Sequence, residues 1–322
     1  MRNLVILSIT LLVFSCSTAG KKSENKTATI LVSVPEFSAD SAYQYVKKQV
    51  DFGPRVPNSA EHKACAEFLI SSLKQFGAEV TVQDADLTSF NGVRLKSKNI
   101  IGSYNTQAVT RILLFAHWDT RPWADNDPDK KNHKTPILGA NDGASGVGVL
   151  LELARVLNTQ KPNVGVDIIF FDTEDYGNTS GDEDSWCLGT QYWSNNKHIP
   201  NYHARYGILL DMVGAPQATF YREQLSDSYA KYVVDNVWSQ AAALGYGDYF
   251  VNKPGGAITD DHIYINRIAG IPAIDIIQYD PYSTTGFAKY WHTLNDTMDN
   301  IDKNTLKIVG TTLLHVIYNE KP

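Results

Sequence analysis

Cysteine is scarce in this sequence, with three residues among 322. Cys16 belongs to the N-terminal segment described below, so only Cys65 and Cys187 remain to form a disulfide. An oxidising compartment would allow that bond, but sequence alone does not show whether the two side chains are close. The apolar neighbours of Cys65, Ala64 and Phe68, are equally compatible with a buried free thiol.

Positive charge is also low. The chain has 29 Lys and Arg residues against 35 Asp and Glu residues, which gives a net charge of −6 at pH 7. We therefore expect no nucleic-acid partner, because such partners require a basic surface that follows the phosphate backbone. Hydrophobic residues make up 43% of the chain and charged residues 20%, which is typical of a globular protein with a well-packed core.

The N-terminal apolar run, residues 4–14, is too short to be a comfortable membrane span. It follows Arg2 and precedes Cys16, a pattern that predicts a signal peptide over residues 1–15. Cys16 resembles the lipidated cysteine of bacterial lipoproteins, and an ordinary signal peptide with an unmodified cysteine is the alternative. We expect an exported protein that is membrane-anchored only through this lipid and faces the periplasm or the cell surface. Residues 16–36 then form the lipidated cysteine and a flexible tether.

Buried-strand and helical patterns alternate over residues 37–322. Strands are predicted at residues 79–82, 98–104, 111–117, 166–171, 206–212 and 271–277. Helices are predicted at residues 38–49, 58–76, 143–157, 226–244 and 303–318. This order favours one α/β domain, a three-layer α/β/α sandwich around a central, mostly parallel mixed β-sheet.

Polar side chains follow the predicted strands at their carboxyl ends, where sites form on such sheets. His117 and Asp211 close two strands, Glu174 and Asp175 follow a third, and Asp142 precedes a helix. Carboxylates and imidazoles from separate segments converging on one edge are typical of a zinc site. Each residue also has a structural explanation: Asp142 is compatible with a helix N-cap, for example. The acidic run at residues 172–175 is compatible with a solvated loop.

Six short motifs occur in an order that resembles the zinc-aminopeptidase superfamily over residues 40–320. They are His-x-Asp at 117–119, Asn-Asp-Gly at 141–143, Phe-Phe-Asp-x-Glu-Asp at 170–175, Leu-Leu-Asp at 209–211, Asp-Asp-His at 260–262 and Trp-His-Thr at 291–293. The segment 209–216, Asp260 in place of Ser or Thr, and the pair Phe287 and Trp291 are more similar to the glutaminyl cyclase branch of this superfamily. Members of that branch convert N-terminal glutamine to pyroglutamate.

The resemblance to glutaminyl cyclases implies one zinc ion per chain, held by Asp142, Asp175 and His292. It implies that Glu174, Asp211 and Asp260 are catalytic, with Glu174 as the proton carrier and the other two hydrogen-bonded near it. Phe287 and Trp291 would bind the substrate, a peptide or protein with an N-terminal Gln. Asp175 departs from the animal enzymes, which have Glu at this position, but it supplies an equivalent oxygen ligand. The loop at residues 176–186 does not match them closely.

The alternative function is an aminopeptidase with one or two metal ions, because the residues permit both reactions. A second zinc would then join His117, Asp142 and Asp211, and Glu174 would activate a water molecule. A non-catalytic receptor on the same fold would have no need for these ligands. The sequence leaves the oligomeric state open.

Overall fold

A computed structural model describes residues 33–322 of the chain. Cys16, the signal peptide and most of the predicted tether lie outside the described residues. The helices are α1 Ala39–Val50, α2 Ala60–Gln75, α3 Ala144–Thr159, α4 Leu188–Asn195, α5 Gln224–Ala243, α6 Asp261–Tyr264 and α7 Lys303–Asn319. The strands are β1 Glu79–Thr88, β2 Arg94–Tyr104, β3 Arg111–His117, β4 Gly165–Phe171, β5 Gly207–Asp211, β6 Phe220–Arg222, β7 Phe250–Pro254 and β8 Ala273–Ile277.

Six strands form the central sheet in the order β1-β2-β4-β3-β5-β8. Strands β4, β3, β5 and β8 are parallel, while β1 pairs with β2, and β2 with β4, in antiparallel register. Strands β4, β5 and β8 are buried along their full length and β3 from its second residue, which explains why apolar residues dominate each of them. The carboxyl ends of β3, β4 and β5 therefore meet at one edge of the sheet.

Alternate residues of these strands belong to two separate apolar cores. Leu114 and Ile168 pack with the face covered by α1, α2, α3, α5 and α7, whereas Leu113 and Ile169 pack with Trp193 of α4 on the other face. Because successive side chains of a strand point to opposite faces, two cores imply helices on both sides. The three-layer α/β/α sandwich predicted from the sequence is thereby confirmed.

The β1–β2 hairpin is longer than predicted from the sequence, which placed its first strand at residues 79–82. Strand β1 continues to Thr88 because its polar side chains pair across the hairpin: Asp84 with Lys98, and Asp86 with Lys96 at 2.7 Å. Helix α4 and the small β6–β7 sheet were not predicted, since their patterns are short.

Both cysteines of the described residues are free and buried. Cys65 lies in α2, and Cys187 directly precedes α4. The disulfide that the sequence left open is not formed. Within residues 33–322, no helix combines the length and the apolar character that a membrane crossing requires.

Candidate active site

Three of the predicted site residues form a compact set of metal-ligating atoms. Asp142 precedes α3, Asp175 follows β4 and His292 lies on the long loop between β8 and α7. His292 Nε2 is 3.5 Å from Asp142 Oδ2 and 3.3 Å from Asp175 Oδ1. Ligand atoms at about 2.0 Å from a tetrahedral zinc ion lie roughly 3.3 Å apart, so these spacings fit zinc.

Hydrogen bonding also supports a cation at this place. Asp175 is 1% exposed, yet neither of its carboxylate oxygens has a hydrogen-bond partner. A buried carboxylate is costly unless positive charge balances it, and the Arg121 guanidinium, 3.5 Å from Asp175 Oδ1, supplies only part of that charge because Oδ2 has no hydrogen-bond partner. Burial, then the charge of Asp142, raises the pKa of Asp175 to about 6, so the free site resists full ionisation. The three residues thus fit a zinc ion with an open coordination position.

Asp142 is not a helix N-cap, in contrast to the structural explanation left open by the sequence. Gly143 holds that position, with no side-chain capping hydrogen bond. The backbone of the Asp142 loop is instead fixed by Asp296, whose carboxylate accepts hydrogen bonds from Asn141 N at 2.8 Å and Asp142 N at 3.1 Å. The Asp142 carboxylate is therefore free to face the other ligands.

A second set of ligand atoms shares Asp142. His117 Nε2 lies 3.0 Å from Asp142 Oδ1 and 3.3 Å from Asp211 Oδ1. All three residues are buried, and His117 Nδ1 is 3.6 Å from Asp119. The arrangement is compatible with a second cation and equally with a neutral or protonated imidazole between two carboxylates. The neighbouring carboxylates raise the pKa of His117 well above its ordinary value despite burial, which opposes protonation.

Glu174 is placed beside the candidate zinc ligands by its own backbone. Asp119 accepts hydrogen bonds from Glu174 N at 3.1 Å and Asp175 N at 3.2 Å, so one carboxylate fixes two consecutive site residues. The Glu174 side chain is 12% exposed and borders the main cavity. Burial and the charges of Asp175 and Asp260 raise its pKa well above the ordinary value, while His117 opposes that rise.

Asp260 and Asp211 border the same cavity as Glu174. Asp260 caps α6 by accepting a hydrogen bond from Asp261 N, and one of its oxygens lies within 4.8 Å of a Glu174 oxygen. Burial, then the charges of Asp211 and Asp261, raises the pKa of Asp260 well above its usual range. Adjacent buried carboxyl groups of this kind can retain a proton at neutral pH.

Aromatic rings enclose the cavity, which has a volume of about 530 Å³. Trp291 stacks on His292 with ring centroids 3.8 Å apart, and Phe287 contacts Trp291 at 4.7 Å. Both predicted substrate-binding residues therefore line the cavity next to the zinc ligands. The Trp186 ring is nearly parallel to that of His292, with ring centroids 6.1 Å apart.

Trp186 lies in the loop at residues 176–186, which does not match the animal enzymes closely. The Arg121 guanidinium is 4.6 Å above its ring, and a side chain on Gly177 would collide with that ring at 1.9 Å. The absence of a side chain at residue 177 thus allows Trp186 to pack into the cavity wall. The only sign of this role in the sequence is that the same loop contains both Gly177 and Trp186.

Asp125 is a further residue that sequence reasoning missed. Its carboxylate receives two hydrogen bonds from Arg121, at 2.8 and 2.6 Å, and lies 3.4 Å from His292 Nδ1. A carboxylate at the second nitrogen of a metal-binding histidine fixes the ring orientation and raises its basicity. No local motif marks Asp125, because its role depends on the fold.

Substitution of Asp125 tests this orienting role. We expect Asp125→Asn to keep the fold but lower zinc affinity about 10- to 100-fold, because the amide cannot stabilise the ring in the same way. Competition with a chromophoric chelator measures the affinity. Asp248→Asn, at an exposed position in the turn before β7, is the matched control and should bind zinc like the wild type. Equal affinities for the two variants would exclude the role.

The fold and the ligand geometry together define a metallopeptidase type of protein. The model of Peptidase family M28 matches residues 99–317, and the chain belongs to this family. Among solved structures, the chain is similar to a glutaminyl cyclase of Bacteroides thetaiotaomicron. The two are 59% identical in sequence, with a TM-score of 0.88 over 90% of this chain and 100% of that one.

Two further relatives show a high and a low degree of similarity. A Zn-dependent exopeptidase of Parabacteroides distasonis is 58% identical, with a TM-score of 0.88 over 89% of this chain and 100% of that one. The glutaminyl-peptide cyclotransferase of Bos taurus is 25% identical over 287 residues, which cover 78% of this chain and 74% of the bovine protein. The predicted resemblance to glutaminyl cyclases is confirmed.

Proposed function

We propose that this protein is a zinc-dependent glutaminyl cyclase, which converts an N-terminal glutamine to pyroglutamate and releases ammonia. The observation that carries the proposal is the aromatic cavity around a three-residue zinc site, with Glu174 at its edge. Trp186, Phe287 and Trp291 line the cavity next to His292. Such walls suit a short, neutral side chain that must curl back on its own amine.

Asp142, Asp175 and His292 would hold the zinc ion. When bound, zinc supplies Lewis-acid polarisation of the glutamine γ-carbonyl. Glu174 accepts a proton from the substrate α-ammonium group and later delivers it to the departing ammonia. Its raised pKa suits the second step, and the charge of a cation at the neighbouring ligands would lower that pKa and favour the first.

The remaining carboxyl groups assist this proton transfer. Asp260, with an oxygen within 4.8 Å of Glu174, is the neighbour that can share a proton with it. Asp211 contacts His117 at 3.3 Å and keeps the imidazole facing the site. Several buried carboxylates around one cavity also favour a cationic N-terminus as ligand. The substrates are therefore peptides or proteins with a free N-terminal Gln.

The aminopeptidase remains the second candidate, and the shared triad of His117, Asp142 and Asp211 is what favours it. Incubation with a Gln-peptide and with Leu- and Ala-arylamides separates the two reactions. We expect ammonia and pyroglutamate from the peptide, with little arylamine. Arylamide cleavage without pyroglutamate by mass spectrometry would replace the cyclase with the aminopeptidase.

The aromatic wall makes a second, quantitative prediction. We expect Trp291→Ala to lower kcat/KM for Gln-peptides about 15-fold, because two glutamine methylenes lose burial worth about 0.8 kcal/mol each. The melting temperature should change little, since Trp291 is only partly buried. Tyr229→Ala, an exposed aromatic of α5, is the control for aromatic loss. A large drop in melting temperature with unchanged kcat/KM would make Trp291 a packing residue.

We also propose that the protein is an exported lipoprotein anchored at Cys16. The apolar run at residues 4–14 followed by a cysteine supports this location. Cys16→Ser should move the protein from the membrane fraction to the soluble fraction of cells that express it. The control is Ser17→Ala, which leaves the cysteine in place. Membrane association that persists in Cys16→Ser would indicate an uncleaved helix instead.

A further inference from the structure

A thiol lies next to the proposed proton carrier. Cys187 is 0% exposed, and its Sγ donates a hydrogen bond to Glu174 Oε1 at 3.4 Å. Its backbone has a left-handed conformation (φ 55°), and its N–H donates to Glu174 O at 3.0 Å. The proposed zinc site uses neither side chain as a ligand. The role of a buried sulfur at this place is thus unexplained by the cyclase reaction.

The surroundings of this thiol form a set of metal-ligating atoms. Cys187 Sγ, one Glu174 oxygen and one Asp260 oxygen lie within 4.8 Å of one another. Asp261, fully buried beside the thiol, has one carboxylate oxygen without a hydrogen-bond partner. A sulfur with two carboxylates is a donor set for thiophilic divalent cations, and the free Asp261 oxygen adds a further buried polar atom that a cation would satisfy.

The cluster adjoins the main cavity. Glu174 and Asp260 border that cavity, whereas Cys187 is fully buried and is not one of its lining residues. A cation that enters the cavity therefore meets the two carboxylates first.

We propose that Glu174, Cys187 and Asp260 form a second, inhibitory site for a thiophilic divalent cation. Binding exchanges the thiol proton, which leaves to solvent, for a sulfur–metal bond. The inhibition, which rests on the proposed cyclase function, follows because Glu174 can no longer accept a proton from the substrate. The binding itself is independent of that function.

Cadmium titration of the zinc-loaded full-length protein tests the site. We expect an ultraviolet thiolate-to-cadmium charge-transfer band in the wild type, with the bound zinc retained. The band should be lost in Cys187→Ser and kept in Cys65→Ala, the other buried thiol of the described residues. The zinc ligands Asp142, Asp175 and His292 contain no sulfur, so cadmium that merely displaces zinc gives no band. Absence of the band from the wild type, or its persistence in Cys187→Ser, overturns the proposal.

Inhibition is measured against the cadmium-free activity of each variant. The cadmium concentration for half inhibition should rise at least tenfold in Cys187→Ser, because loss of an outer-shell partner alone costs about 10- to 100-fold in metal affinity. Glu174→Gln provides a second test if Cys187→Ser does not fold. In that variant the band should appear only at cadmium concentrations at least about tenfold higher. An unchanged titration in Glu174→Gln contradicts the proposed ligand set, whether or not the protein proves to be a cyclase.

Discussion

Glu174→Gln should lose nearly all turnover of Gln-peptides while it keeps both its fold and its zinc. The amide has the same shape as the carboxylate but cannot accept the proton of the substrate ammonium group. Loss of a general base typically lowers kcat about 10²- to 10⁴-fold. Ammonia release under saturating substrate measures kcat, and metal analysis with a thermal melt checks the zinc and the fold.

The position of Glu174 makes this substitution informative. Asp119 holds its backbone N–H, so the orientation of residue 174 does not depend on the side chain being charged. Glu61→Gln, on the exposed first turn of α2, is the control for the chemical change alone. A Glu174→Gln enzyme with near wild-type kcat would remove Glu174 from the mechanism.

His292→Ala should lose most of its zinc and, with it, the activity. The wild type is expected to hold close to one zinc per chain, released by chelation. A site with only Asp142 and Asp175 left offers two of the three protein ligands that a catalytic zinc requires. Metal analysis after gel filtration gives the stoichiometry. Two tightly held zinc ions in the wild type would favour the aminopeptidase, since His117 and Asp211 would then hold the second.

Thermal stability offers an independent check on His292. A ligand at 1,000 times its Kd stabilises the folded state by about 4.1 kcal/mol, so chelation should lower the wild-type melting temperature. The His292→Ala variant, which has little zinc to lose, should be indifferent to the chelator. His315→Ala, on α7 away from the site, should respond like the wild type. A chelator response of wild-type size in His292→Ala would show that zinc binds elsewhere.

The sheet and its functional edge could be predicted from the sequence, because both follow from the pattern of apolar residues along the chain. Strands buried on both faces are mostly apolar. Strands β3 and β5 end at His117 and Asp211, and β4 is followed by the segment that carries Glu174 and Asp175. The strand boundaries alone were enough to place His117 and Asp211 at the functional edge, because they end β3 and β5. The order of six short motifs then separated these residues from ordinary buried polar groups.

The residues that support the site could not be predicted in this way. Asp296 holds the loop of Asp142 across 154 residues of sequence, and Asp125 faces His292 across a comparable gap. Each contact exists only once the loops are folded over the sheet edge. The N-cap interpretation of Asp142 was wrong for the same reason. Asp296, which is distant in the sequence, fixes the backbone at Asp142, and local helix propensity does not.

His292 follows every strand of the sheet in the sequence, so the set of three proposed zinc ligands becomes complete only late in synthesis. A ribosome makes Asp142 and Asp175 long before the loop between β8 and α7, and domains generally fold as units during synthesis. The third proposed zinc ligand is thus made only after the last strand of the sheet, β8. A chain that terminates between residues 278 and 291 carries every strand of the sheet but lacks that ligand. Acquisition of zinc would therefore follow synthesis of the whole sheet.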